Sequence, residues 1–247
     1  MSLRGSTVLA LHAHPDDEAI FTGITLRRLA DAGARVILVL ATAGELGGSR
    51  LPLAPGEDIA RRRTTELERS AELLGVSRLV LLGRRDSGLP GWPSGADPRS
   101  LAGSCVAALG RRVADLAVEE SADTLVFDDD GGVYGHPDHR AAAGVGSVAA
   151  RLTGAAAYRI TVDRDRTGHL VRNAAAAADV LFGRAAEEIT LAVTGSPENL
   201  VRKHAAISAH ASQVAPEHLP LEGFAEAYGT EWYRHEGTHG ALSLLAG

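Results

Sequence analysis

Two uninterrupted apolar runs constrain this chain more than any other feature: Ser-Thr-Val-Leu-Ala-Leu at 6–11 and Arg-Val-Ile-Leu-Val-Leu-Ala-Thr at 35–42. Each has the length and composition of a buried strand. Between them Ile20, Ile24, Leu26 and Leu29 follow a helical pattern, and Asp31-Ala32-Gly33 supplies a turn. Strand, helix and strand within about 35 residues form a βαβ unit, so the sheet is expected to be parallel with right-handed crossovers. The pattern continues with strands at 78–82 and 122–127 and helices at 58–75 and 98–120, Gly75 ending the first and Pro98 opening the second. Beyond residue 155 the expected elements are strands at 157–162 and 188–193 and helices at 173–182 and 199–211, then a tail with several aromatics and histidines. This is an α/β chain with its chemistry expected at the carboxyl ends of the strands. No repeat or long linker divides it, so residues 1–247 read as one domain. Residues 1–155 would form the core, and 156–247 a carboxyl-terminal part that completes it.

Composition narrows the partners. A net charge of -6 argues against nucleic acid, which needs a basic face. Cys105 is the sole cysteine, which excludes an internal disulfide and any multi-cysteine metal site and fits a cytoplasmic protein. No run reaches the roughly 18–20 apolar residues of a membrane span, and His12 with the carboxylates behind it interrupts the amino-terminal run before any cleavage site. The expected partner is a small molecule, with a homo-oligomer left open. Lys203 is the only lysine.

The chemistry gathers in two turns. The first strand runs into His14-Pro15-Asp16-Asp17-Glu18, and the fourth into Tyr134-Gly135-His136-Pro137-Asp138-His139. In each, proline biases the preceding histidine towards an extended backbone and holds the cluster outside the following helix. An imidazole and a carboxylate from the first turn are two ligands for a divalent metal, leaving the adjacent carboxylate free. His136 and His139 are three residues apart, so one could be a third ligand while the other reaches the reacting group; His14, Asp17 and His139 would make such a set. Catalytic zinc typically keeps three protein ligands and an open position, and lowers the pKa of its water to about 7. Asp16 could then take the proton of the attacking water, His136 stabilise or protonate the tetrahedral intermediate, Tyr134 hydrogen-bond the oxyanion, and Asp138 orient a histidine. Each turn also has a structural reading, with Asp16 or Asp17 as a helix N-cap, His136 near an N-cap, and Glu18 and Asp138 as first-turn acids. Two matching turns, each after a strand, favour the metal.

Together with the Asp86-Ser87-Gly88 loop, the two turns closely resemble the PIG-L/LmbE-like family of zinc-dependent N-deacetylases, most strongly from Val8 to His139. The resemblance implies a Rossmann-like three-layer sandwich with a mainly parallel sheet. It also implies Zn2+ on His14, Asp17 and His139, with other divalent transition metals acceptable to such ligands, and Asp16 as general base. The expected reaction removes an acetyl or other acyl group from an N-acetylated amino sugar or glycoconjugate. By the same resemblance His136 assists the intermediate, Tyr134 matches the mobile tyrosine of the mycothiol-type members, Arg63 looks like a substrate-binding arginine, and Asp86 is placed to hold sugar hydroxyls. The Ala-His-x-Ser-Gln ending at His210 to Gln213 is similar to the family's, without an assigned role. The sequence after Glu18 lacks the Ser/Lys-rich continuation of the mycothiol amidases. Three readings stand beside the first: a mycothiol-type GlcNAc-inositol deacetylase, a thiol-conjugate amidase, and a non-catalytic sugar- or metal-binding protein. A dinucleotide enzyme is disfavoured, because His-Pro-Asp-Asp stands where a G-x-G-x-x-G turn would be.

Overall fold

The computed structural model describes residues 2–166 and 183–246; the helix expected at 173–182 lies outside them. The first strands are β1 (Thr7–His12), β2 (Arg35–Thr42), β3 (Arg78–Arg84) and β4 (Thr124–Asp128), with helices α1 (Asp17–Asp31), α2 (Ile59–Leu74) and α3 (Val106–Glu119) connecting them. Then follow α4 (Pro137–Thr153), β5 (Ala156–Thr161), β6 (Leu191–Thr194), α5 (Pro197–Ala209), the short α6 (Phe224–Tyr228) and β7 (Thr230–Glu236). Among the described residues these seven strands join one sheet in the order β3-β2-β1-β4-β5-β7-β6. The first five are parallel, and β7 runs antiparallel to both β5 and β6.

The continuous apolar runs follow from burial on both faces. Side chains alternate across a strand, and here each face meets its own core. Val8, Ala10, Val36, Leu38 and Leu40 pack into the core that contains residues of α1, α2 and α5. Leu9, Leu11, Ile37, Val39 and Ala41 pack into the core shared with α3 and α4. The result is three layers, helix on sheet on helix. Helix α2 is bounded as its sequence demands: the Asp58 carboxylate accepts the Arg61 N–H, and Gly75 closes the helix at φ 79°.

Two expectations need correction. The helix expected over 98–120 begins only at Val106. Residues 97–104 instead form turns in which Asp97 caps the Arg99 N–H at 2.8 Å, the Ser100 hydroxyl bonds the Asp97 carbonyl, and Leu101 donates to Arg85 at 2.9 Å. Short side-chain-to-backbone bonds of this kind compete with helix. The tail, for which the sequence pattern predicts no strand, also contributes β7, inserted between β5 and β6. Among the described residues no helix is long and apolar enough to cross a membrane.

Candidate metal centre

Strand order reverses at β1, which pairs with β2 on one side and β4 on the other. An open α/β sheet leaves its ligand crevice at the carboxyl ends of such strands. The first turn connects β1 to α1. The His14 N–H bonds Asp17 Oδ2 at 2.8 Å and folds that carboxylate back over the turn. Asp16 sits at φ 107°, a left-handed conformation costing a non-glycine residue about 1–3 kcal/mol. Its N–H is held by Glu18 Oε2 at 2.9 Å, and Glu18 Oε1 is held in turn by His210 Nε2 at 2.7 Å and by the Ser70 hydroxyl. Asp16 makes no side-chain cap. Its carboxylate faces the Arg63 guanidinium instead, 3.0 Å away.

The second turn connects β4 to α4 through a kinked stretch, Gly132–Gly135, in which Val133 is forced to φ 56°, ψ -66°. His136 is the N-cap of α4, its Nδ1 accepting the Asp138 N–H at 3.2 Å. The structural reading of His136 therefore holds for one ring nitrogen and leaves Nε2 free of that role.

His14, Asp17 and His139, all buried, each bring a donor atom within 4.8 Å of the others. His14 Nδ1 lies 3.7 Å from Asp17 Oδ2, and His139 Nε2 lies 3.4 Å from Asp17 Oδ1. The opposite nitrogen of each imidazole faces a carboxylate: His14 Nε2 is 3.2 Å from Asp138, and His139 Nδ1 is 3.0 Å from Asp128, off the hydrogen-bond axis. Imidazoles that bind metal are usually backed in this way, which fixes the ring and its tautomer. His14, His136 and Asp138 also cluster. Asp138, however, is committed to the Ser87 N–H at 2.9 Å, the Ser87 hydroxyl and the Ala102 N–H at 3.1 Å, so the first set is the better metal site.

Electrostatics agree. Burial alone would lower the pKa of His139, but Asp17 and Asp128 outweigh it and raise the imidazole to about 9. Carboxylates around this point call for a positive charge, which a divalent cation supplies. The donor set therefore fits a metal. Burial raises the Asp16 carboxyl to about 6, with Arg63 pulling the other way. Burial and the neighbouring His14 and His139 lower His136 to about 4. The Tyr134 hydroxyl lies 3.2 Å from His139 Nε2, and burial pushes its pKa well up.

Asp16, Asp17 and Tyr134 share the wall of a cavity of about 270 Å3. Asp86 is 3.8 Å from the other side of the His14 ring and lines a recess with Glu45, Arg85 and Asp97. Its carboxylate accepts the N–H groups of Leu46 and Gly88 at 3.2 and 2.8 Å. Arg63 is buried, its guanidinium directed at Asp16, the Pro15 carbonyl and the Gly44 carbonyl. Sequence reasoning missed Asp128, Ser87, Glu18 and His210 as supports of the site. Ser87, Glu18 and His210 stand in stretches the sequence had singled out without this role, and Asp128 is a carboxylate at the very end of a strand leading into a histidine turn.

The family profile for GlcNAc-PI de-N-acetylase, PIG-L, matches residues 9–150. A protein of Kineococcus radiotolerans named 1D-myo-inositol 2-acetamido-2-deoxy-alpha-D-glucopyranoside deacetylase is 43% identical over 148 residues, 53% of this chain but only 41% of that protein. One of the same name from Nakamurella multipartita is 38% identical over 248 residues, 88% of this chain and 82% of that one. Among solved structures, the N,N'-diacetylchitobiose deacetylase of Pyrococcus horikoshii superposes with a TM-score of 0.64 at 23% identity, covering 94% of this chain and 84% of its own. A 4-carboxy-2-hydroxymuconate hydratase of Pseudomonas putida superposes about as well, at 0.63 and 17% identity over 96% and 98% of the two chains. The fold by itself therefore does not choose the reaction.

Proposed function

The chain belongs to the PIG-L family of GlcNAc-PI de-N-acetylases, and from that premise we propose that it is a zinc-dependent hydrolase removing the acyl group from an N-acylated amino sugar. The observation that carries this reading is the convergence of His14, Asp17 and His139 beside a separate carboxylate, Asp16. Two imidazoles and a carboxylate are a common catalytic zinc set with an open position. Zinc held there supplies a Lewis acid that acidifies water and polarises the amide oxygen.

The protein's own groups do the rest. Asp16, pushed to about 6, is matched to accepting a proton from water near neutral pH. Once protonated it can pass that proton to the departing amine. His136 accepts the Asp138 N–H at Nδ1, so its neutral form carries hydrogen on Nε2 and can donate to the developing oxyanion. Of its two expected roles, stabilising the intermediate suits this tautomer, and protonating it does not. Tyr134 adds a second donor from the cavity wall. Asp138 orients His14, and Asp128 orients His139. Arg63 and Asp86 were expected to bind substrate; Arg63 is better placed to hold Asp16, while Asp86 faces the recess where sugar hydroxyls would lie.

A glucosaminide carrying an N-acetyl group is the first substrate to test, because the relatives at 38–43% identity are named for the inositol glycoside. The deciding experiment is release of acetate from N-acetylglucosamine, its inositol conjugate and N-acetylated antibiotic sugars, with and without a chelator, for wild type and Asp16→Ala. Turnover is expected to fall by about 10²–10⁴ in the variant while bound zinc stays stoichiometric. Equal rates with and without chelator would remove the metal, and an active Asp16→Ala would remove the general base.

A further inference from the structure

The cavity beside the metal donors is larger and more apolar than an acetamide requires. The wall of this space of about 270 Å3 is mainly apolar, with Ile20, Phe21, Val162, Ala227, Tyr228 and Trp232 among its residues. At about 30 Å3 per water-sized unit it holds roughly nine such units. An acetyl group places only a methyl beyond the carbonyl carbon.

Away from Asp16 and Asp17, which mark the reacting end of the cavity, the two charged residues on the wall cancel each other. Lys203 Nζ meets Glu231 Oε1 at 2.7 Å with both side chains buried. Glu231 also accepts the N–H groups of Ile24 and Thr25, each at 2.8 Å. Nothing on that part of the wall therefore calls for a charged terminus on a bound chain. Groups that want water or hydrogen bonds are provided for across the His14 ring, in the recess with Glu45, Arg85, Asp86 and Asp97. An amide spanning the metal position would lie with its polyhydroxyl half on that side and its acyl half on this one.

We infer that the apolar cavity receives the acyl half of the scissile amide and favours an uncharged aliphatic chain longer than acetyl. This rests on the amide-hydrolase reading of the site. Val162, Ala227, Tyr228 and Trp232 lie outside residues 9–150 matched by the family profile. Membership of the family therefore bears on the metal turns more than on the acyl preference, which these later residues set.

The test is a series of N-acetyl-, N-butanoyl-, N-hexanoyl- and N-octanoylglucosamine with the zinc-loaded protein. Each methylene buried in the wall is worth about fourfold in kcat/KM, so hexanoyl is expected to exceed acetyl by more than tenfold (about two buried methylenes suffice). Ala227→Trp, at a half-buried position on the short α6, fills the cavity. It should lower the ratio of hexanoyl to acetyl kcat/KM about tenfold, and an unchanged ratio counts against the inference. A readout independent of any variant is competitive inhibition by free carboxylates, hexanoate being expected to bind at least tenfold tighter than acetate. Acetyl cleaved best, with rates flat or falling along the series and hexanoate no tighter, overturns the inference and leaves the deacetylase reading standing. A gain for the octyl glycoside of N-acetylglucosamine in place of the N-acyl series overturns it too, since the cavity would then hold the aglycone. If no amide is cleaved, both readings fall together.

Discussion

His210 stands 192 residues from Glu18 in sequence, yet it holds the carboxylate that holds Asp16. Replacing it with alanine leaves Glu18 buried with only the Ser70 hydroxyl and the Asp16 N–H as partners. Breaking one side of such a buried pair costs about 3–5 kcal/mol, a large share of the 5–15 kcal/mol that keeps a typical domain folded. The functional consequence is separate from that loss. Asp16 stays at φ 107° only while its surroundings hold it there, and about 1–3 kcal/mol of strain drives it back when they loosen. If that energy appears in the barrier, kcat falls about 5- to 150-fold. KM should change little, because His210 does not line either substrate recess. The assay is kcat and zinc content of His210→Ala well below its melting point, repeated in an Asp16→Asn background. Because His210 acts through Asp16, the second substitution should reduce the residual rate of Asp16→Asn by less than about twofold, the two sites being coupled. A full loss in that background, or unchanged kcat in folded His210→Ala, would refute the reasoning. Ser70→Ala frees the same Glu18 oxygen at lower cost and provides the check if the alanine variant does not fold.

Metal removal should change how stability depends on pH. In the metal-free chain His139 is raised from about 6.5 to about 9, so its contribution is complete below pH 6.5 and lost as pH climbs past 9. Chelated protein is therefore expected to lose about 3 kcal/mol over that window in urea unfolding. Zinc-loaded protein should not, because the cation takes the place of the proton; identical profiles would contradict this. Gly44→Ala is a backbone test of Arg63: at φ 63° the new Cβ would run into the guanidinium that holds Asp16. It is expected to lower kcat about tenfold, with zinc content unchanged by metal analysis. Lys203→Met strands Glu231 without its cation, so unfolding should show a loss of about 3–5 kcal/mol, with partial recovery when Glu231→Gln is added.

What the sequence revealed and what it hid divide along physical lines. Strands β1 and β2 were legible because both faces are buried, which leaves an unbroken apolar run; β7 was not, because Thr230-Glu231-Trp232-Tyr233-Arg234 mixes buried and partly exposed positions without a clean period. In β7 the polar Glu231 is nonetheless buried, and it is satisfied by Lys203 and by two backbone N–H groups of α1, partners that no local pattern announces. The failure at 98–105 has a similar cause, since Asp97 and Ser100 spend their side chains on the backbone and stop a helix that Pro98 would otherwise begin well.

The two histidine turns were readable because residues able to hold a metal stand in short motifs, whereas the groups that aim them are scattered. Glu18 looked like a first-turn acid favoured by the helix dipole. Its actual partners are the Asp16 N–H, Ser70 on α2 and His210 just past α5. Ser212, two residues on, ties down Glu66 of α2 through both its N–H and its hydroxyl at 2.8 and 2.6 Å, and Arg63 of that same helix reaches Asp16. The Ala-His-x-Ser-Gln ending thus braces Asp16 by two routes, one to its backbone and one to its carboxylate. A variant that weakens only one route, such as Ser212→Ala, should accordingly cost less in kcat than His210→Ala, and the two together more than either alone.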